Sequence, residues 1–275
     1  MKSKDISKTK AAVVLVPSLR DPHFAAVADE VTERLKNSGY RAILMITNYD
    51  ITAERKCIEM VRQNRIDGII SPIRDMEQIA ADDIPIVTIG CHCDTTIPCV
   101  MSDGLGAGKL AAQKLLELGC RRLVYMHVGS EPSCEYDRRG EGFEGVCQSS
   151  GVDCESVIVT DSASLHPFYR YIDRHIIDGK PDFDGIFCEN DHLASSIAKR
   201  LGKLGISVPS QVQIIGCGGL SERSGGVRCS TIVQPIHEIA RAAVSILLTD
   251  DRSAIPPVTT IPVSYRAGGT TRELS

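Results

Sequence analysis

No apolar run in this chain approaches the roughly 20 residues that a membrane-spanning helix needs, which sets aside an integral membrane protein. No stripe of clustered Lys and Arg is present, and the formal net charge is −4, so nothing here can grip a nucleic-acid backbone by itself. The first ten residues carry four lysines but lead into only six apolar residues before Pro17, too few for a secretory signal, and a cytoplasmic location is expected. The eleven cysteines are odd in number and lack framework spacing, which fits buried thiols in a reducing compartment rather than a disulfide scaffold. No Gly-x-Ser-x-Gly elbow accompanies the seven scattered histidines, and nothing compels an enzyme.

What is present is a repeated alternation of strand and helix. At 275 residues, 43% hydrophobic and 24% charged, the chain has ordinary globular composition and room for two domains. The run 11–16 is continuously apolar, as in a strand buried on both faces. Phe24, Val27, Ala28, Val31 and Leu35 then recur at helical spacing, with Gly39 placed to end the helix. Strands are expected at 42–46, 68–71, 86–89 and around 100–103, with helices at 53–64, 76–81 and 107–118. A second set follows, with strands at 123–128, 157–159, 185–188 and 212–215 and helices at 142–149, 168–177 and 192–204. This order predicts α/β architecture with parallel sheets and right-handed crossovers.

The most informative stretch is Cys188-Glu189-Asn190-Asp191-His192, where the apolar strand Gly185-Ile186-Phe187 gives way at once to polar side chains. In an open parallel sheet, ligands meet side chains just past the carboxyl ends of strands, and an Asn there offers donors and an acceptor. The same arrangement recurs near Ser18, Asp103, Arg139 and Gly218. Asp103-Gly104-Leu105-Gly106-Ala107-Gly108 departs from the dinucleotide spacing and lacks the acidic residue expected about 20 positions on, so no cofactor is expected. Cys91-His92-Cys93 with Cys99 does not have the spacing of a standard zinc knuckle, and no metal is expected either. Arg139 reads either as a solvated charge or as a clamp on a hydroxylated or anionic ligand.

Taken in order, Asp21-Pro22-His23-Phe24, Asp67-Gly68-Ile69-Ile70, Ile84-Pro85-Ile86-Val87, Asp103 with Gly104 and Gly108, Leu118-Gly119-Cys120-Arg121-Arg122, Arg139-x-x-Gly142-Phe143, Asn190-Asp191, Val208-Pro209, Gln234-Pro235 and Tyr265-Arg266 resemble the landmarks of the lactose/galactose repressor family. The likeness is to its effector-binding core and covers nearly the whole chain. It implies a type I periplasmic-binding-protein fold, with two Rossmann-like subdomains, three crossovers and a small-molecule effector in the cleft between them. The implied subdomains are 10–128 plus 235–254 and 129–234 plus 255–275.

The resemblance also implies a homodimer, with the apolar-faced helix 24–35 as a candidate surface if it is not simply covering a sheet. Operator DNA would be contacted only through a helix-turn-helix headpiece, which this stretch does not contain. Carried over by position, Asp103, Arg139, Asn190 and Gln234 would hydrogen-bond a sugar-like effector and Phe24 would wall one face of it. Ser18, His23 and Gly218 are secondary candidates. Where the family usually has an aromatic and two aspartates after 212–216, this chain has Cys217-Gly218-Gly219, so a carboxylate acceptor is missing. Each hydrogen bond lost with it forfeits roughly 1.5–3 kcal/mol. The rival reading is a solute-binding protein of a sugar transporter, which has the same fold, although eleven cysteines argue against it.

Overall fold

The computed structural model describes residues 9–48, 50–71, 85–90, 97–129, 138–160, 164–219, 223–224, 227–251 and 254–273. The first elements are β1 (Ala11–Val16), α1 (Pro22–Asn37), β2 (Arg41–Ile46), α2 (Ile51–Arg62), β3 (Gly68–Ser71), β4 (Ile86–Ile89) and β5 (Cys99–Ser102). Next come α3 (Gly104–Glu117), β6 (Arg122–Val128), α4 (Arg138–Ser149), β7 (Asp153–Val159), α5 (His166–Arg174), β8 (Ile176–Ile177), β9 (Lys180–Pro181), β10 (Gly185–Cys188) and α6 (Asp191–Lys203). The last are β11 (Gln213–Gly218), β12 (Arg223–Ser224), β13 (Val227–Arg228), β14 (Ser230–Val233), α7 (Ile236–Leu248), β15 (Val258–Ile261) and β16 (Ser264–Arg266). The chain divides into one unit of Met1–Ser102 with Pro235–Ile261 and another of Asp103–Gln234 with Pro262–Ser275, passing between them three times.

In the first unit a six-stranded sheet runs β15-β5-β4-β3-β1-β2, parallel throughout. Strand β1 shows why its sequence is apolar at every position. Ala12, Val14 and Val16 join the core beneath α1 and α7, while Ala11, Val13 and Leu15 join the core with Cys57, Ile58 and Val61 of α2. Helix α1 starts where Asp21 accepts the His23 N–H at 2.8 Å and Pro22 fills the first turn. Its Val27, Ala28, Val31 and Leu35 are all buried in the sheet-covering core, so this face is not open for a dimer contact, and the sheet-covering alternative holds.

The second unit carries the sheet β16-β14-β11-β10-β6-β7, in which β16 alone runs antiparallel to its neighbour. Helices α3 and α4 cross with backbone against backbone: a Cβ on Gly108 would lie 1.8 Å from the Arg139 carbonyl oxygen, and one on Gly142 would lie 2.1 Å from that of Leu105. Phe143, Phe187 and Tyr125 pack together in the core beside them.

Several expectations change. The first subdomain does not extend to residue 128, because β6 pairs with β10 and β7 and α3 packs on α4, so the first crossover comes between Ser102 and Asp103. Residues 255–261 belong to the first unit, since β15 pairs with β5. The helix expected to reach residue 177 ends at Arg174, and Ile176–Ile177 instead pairs with Lys180–Pro181 as β8 and β9. The helix expected at 76–81 and the Cys91-His92-Cys93 motif lie outside the described residues. Among those described, no helix is long and apolar enough to cross a membrane.

Candidate functional site

Of the predicted residues of the second unit, Asp103 and Asn190 are anchored by caps that their local sequence dictates, and Arg139 and Gln234 by bonds to residues distant in the chain. Asp103 follows β5 and caps α3, its Oδ1 accepting the Gly106 N–H at 2.7 Å. Asn190 follows β10 after one intervening residue and caps α6, its Oδ1 accepting the Leu193 N–H at 2.8 Å. Gln234 follows β14, only 7% exposed, with its N–H donating to the Gly218 carbonyl at 3.3 Å and its Nε2 3.8 Å from the Cys217 Sγ. Arg139 lies in the first turn of α4 and is 3% exposed, which overturns the solvated-charge alternative. Its Nη1 donates to the Glu189 carbonyl oxygen at 2.5 Å.

Arg139 and Asn190 are thus drawn together around Glu189. Oε2 of that residue accepts the Val128 N–H at 3.0 Å and lies 3.0 Å from His127 Nδ1, while Oε1 accepts Asn190 Nδ2 at 3.1 Å. Gln234 is grouped instead with Cys217 and Gly218 through the pairing of β11 and β14. The Asp103 carboxylate is engaged by its own helix. Ser18, His23 and Phe24 belong to the first unit, just past β1. Ser18 Oγ accepts the Arg20 N–H at 3.0 Å, and the half-buried Phe24 meets the His23 ring edge-on at 5.6 Å.

The glycine pair is explained by its backbone. Gly218 has φ +133° and Gly219 φ +83°, conformations that L side chains rarely adopt, and a Cβ on Gly219 would lie 2.9 Å from Val233 Cγ1. Three side chains hold this turn: Thr231 Oγ1 accepts the Gly219 N–H at 3.2 Å and donates to the buried Asp191 Oδ1 at 2.5 Å, and Arg266 Nη2 donates to the Gly219 carbonyl at 2.7 Å. Asp191 Oδ2 lies 3.5 Å from where a Gly218 Cβ would stand, so a carboxylate underlies the missing side chain. Burial first, then the neighbouring Cys229, Glu189 and Asp191, push the Cys188 thiol well above its ordinary range.

Sequence reasoning missed Glu189, Asp191, Thr231 and Arg266 as parts of the site. Glu189 and Asp191 carried a signal as charged residues just after a fully apolar strand, and Arg266 stood in the Tyr265-Arg266 landmark, while Thr231 carried none. The assembled groups are donors and acceptors fixed on rigid element ends, an arrangement suited to orienting a hydroxylated small molecule. Among the described residues no cluster of three or more His, Cys, Asp or Glu is placed to hold a metal.

Residues 9–247 match the family described as periplasmic binding proteins and sugar binding domain of LacI family. The chain is 28% identical over 242 residues to the ribose operon repressor of Halalkalibacterium halodurans, covering 86% of this chain and 71% of that protein. It is likewise 28% identical over 269 residues to the ribose operon repressor of Bacillus subtilis (strain 168), covering 94% and 80%. Its fold superposes with TM-score 0.83 and 25% identity on a periplasmic binding protein/LacI transcriptional regulator from Alkaliphilus metalliredigens QYMF complexed with D-xylulofuranose, covering 96% of this chain and 100% of that one. The α/β architecture of two parallel-dominated sheets and the match over most of its length agree: this chain belongs to the family of periplasmic binding proteins and LacI-type sugar-binding domains.

Proposed function

We propose that this chain is the effector-sensing domain of a LacI-type transcriptional regulator, binding a small sugar or related metabolite through Arg139 and Asn190, with Asp103 and Gln234 contributing. The observation that carries the reading is the convergence of a buried guanidinium and a capping amide on Glu189 at the carboxyl edge of a parallel sheet. Asn190 keeps one N–H and one oxygen lone pair after its two protein bonds, a donor and an acceptor side by side that suit neighbouring hydroxyls. A regulator is favoured over a transporter's binding protein because the relatives above are named operon repressors. No turnover of the effector is part of this reading.

A homodimer and a separate operator-reading headpiece complete the proposal. The dimer is supported by the edge strand β2, which leaves Leu44 and Ile46 44% and 47% exposed. Light scattering of the purified chain is expected to return twice the monomer mass, and Leu44→Lys with Ile46→Lys should shift it to monomer. Ligand binding is tested by a thermal-shift screen of pentoses, hexoses, polyols and sugar acids. A ligand at ~100 times its Kd adds about 2.7 kcal/mol, enough to raise the midpoint by several degrees. A shift by one sugar class that Arg139→Lys abolishes supports the reading; no shift by any member, with the protein folded, refutes it.

A further inference from the structure

We propose that Glu189 is the positioning residue of this site, its carboxylate setting the orientation in which the Asn190 amide meets a ligand. The inference rests on the reading that Asn190 binds the effector, and goes beyond it by assigning a role to a residue that does not itself need to touch the ligand.

Two different parts of Glu189 serve the two neighbours. Its backbone carbonyl receives Arg139 Nη1 at 2.5 Å, a contact that any residue at 189 could supply. Its side chain does what only a carboxylate of this length can do here. The head is clamped to the end of β6 by the Val128 N–H and faces His127 Nδ1, each at 3.0 Å, and Glu189's own N–H donates to the Met126 carbonyl at 2.9 Å, extending the strand pairing one residue past β10. From that fixed position Oε1 takes one hydrogen of Asn190 Nδ2 at 3.1 Å.

The Asn190 amide is therefore fixed from both sides. Its oxygen is committed to the Leu193 N–H, which forces the nitrogen toward Glu189, and the carboxylate receives it. Without the carboxylate the oxygen would still cap α6, but rotation about the terminal torsion would be opposed from one side only. The remaining N–H, the one left for a ligand, would lose its direction. The Val128 N–H and Asn190 Nδ2 each donate to one of its two oxygens, and His127 Nδ1 lies beside one of them, so the carboxylate is engaged by the protein.

Glu189→Gln tests this at nearly constant volume. The Val128 N–H is backbone and cannot turn away, so the single glutamine oxygen stays on it and the glutamine NH2 faces the Asn190 NH2, donor against donor. The measurement is solvent exchange of the Asn190 side-chain amide by 15N NMR on the ligand-free chain, the resonance assigned by its loss in Asn190→Ser. Exchange is expected to quicken roughly tenfold in Glu189→Gln, with Glu189→Ala as the second variant, and D-ribose affinity by calorimetry to fall by a similar factor. In an Asn190→Ser background the Glu189 substitution should change ribose affinity less than twofold, which a general structural role would not predict.

Unchanged amide exchange in both variants overturns the proposal, as does quickened exchange with undiminished ribose affinity. If the parent chain gives no heat with D-ribose while the amide result stands, the fault lies in the choice of ligand class and not in the positioning of Asn190.

Discussion

Replacing Gly108 by alanine should destabilise the second unit although it places the best helix former inside a helix. The added methyl would stand 1.8 Å from the Arg139 carbonyl oxygen and 2.7 Å from the Phe143 nitrogen. Both are backbone atoms of α4, so no side chain can swing aside, and the helix must retreat by more than 1 Å. Phe143 and Cys147, fully buried on the same helix, would move with it. Overpacking of this kind costs about 1–3 kcal/mol, and backbone-on-backbone contact argues for the upper end. The helix-propensity gain of alanine over glycine returns about 1 kcal/mol, leaving a net loss of about 2 kcal/mol. That corresponds to a fall of about 4–8 °C in the melting midpoint. Gly145→Ala is the matched control, because a Cβ at this position of the same helix meets nothing within 4 Å. It should melt a few degrees higher than the parent. Calorimetric melting of the three proteins decides the matter; a Gly108→Ala midpoint at or above the parent's would refute the close crossing of α3 and α4.

Asp103→Ala should lose about 1 kcal/mol from the missing cap, while Asp103→Ser keeps the cap and stability; loss of sugar binding in the serine variant alone would separate its ligand role from its capping role. Arg139→Ala leaves the Glu189 carbonyl without this donor and should cost about 1–3 kcal/mol in urea unfolding, so stability equal to the parent would mean the bond is not held in solution. Burial pushes the thiols of Cys57, Cys120 and Cys229 from 9.0 up to about 11. Their pKa is raised in the folded state, so the unfolded chain releases these protons first; their contribution is fully present below pH 9 and is lost as pH rises from there through 11. Urea midpoints at pH 8, 9.5 and 11 should fall in that order, and alkylation at pH 8 followed by peptide mass spectrometry should find these three cysteines protected until the protein unfolds.

How much of this could be read from sequence depended on whether the cause was local. Strand β1 was legible because burial on both faces demands apolar residues at every position, and Asp103 and Asn190 because a polar residue between an apolar strand and a helical pattern is where a cap must lie. The burial of Arg139 was not legible, since its partner is 50 residues away and is a backbone carbonyl, which has no signature. Glu189 was visible as a charge after a strand but not as the centre of a network, because its bonds to β6 span 61 and 62 residues. The first crossover was misplaced for the same reason: the pairing of β6 with β10, distant in the chain, helps assign 122–128 to the second sheet. Strands β15 and β16 are short and largely half-exposed, with no apolar run to announce them.

The missing acceptor after β11 takes a different meaning once the backbone is known. At φ +133° and +83°, positions 218 and 219 are unfavourable for ordinary side chains, so a carboxylate cannot be placed there by substitution without changing the turn. The turn itself is held by Thr231, Arg266 and the buried Asp191 through a connected set of bonds. Negative charge has not left this edge of the sheet: Asp191 lies beneath the glycines, and Glu189 stands at the neighbouring strand end. Both are committed to protein donors, however, which leaves the second N–H and the second oxygen lone pair of the exposed Asn190 amide as the groups at this edge left for a ligand. Selectivity in such a site follows from how firmly those two groups are held, because an amide fixed from both sides discriminates between hydroxyl arrangements that a freely turning one would accept alike.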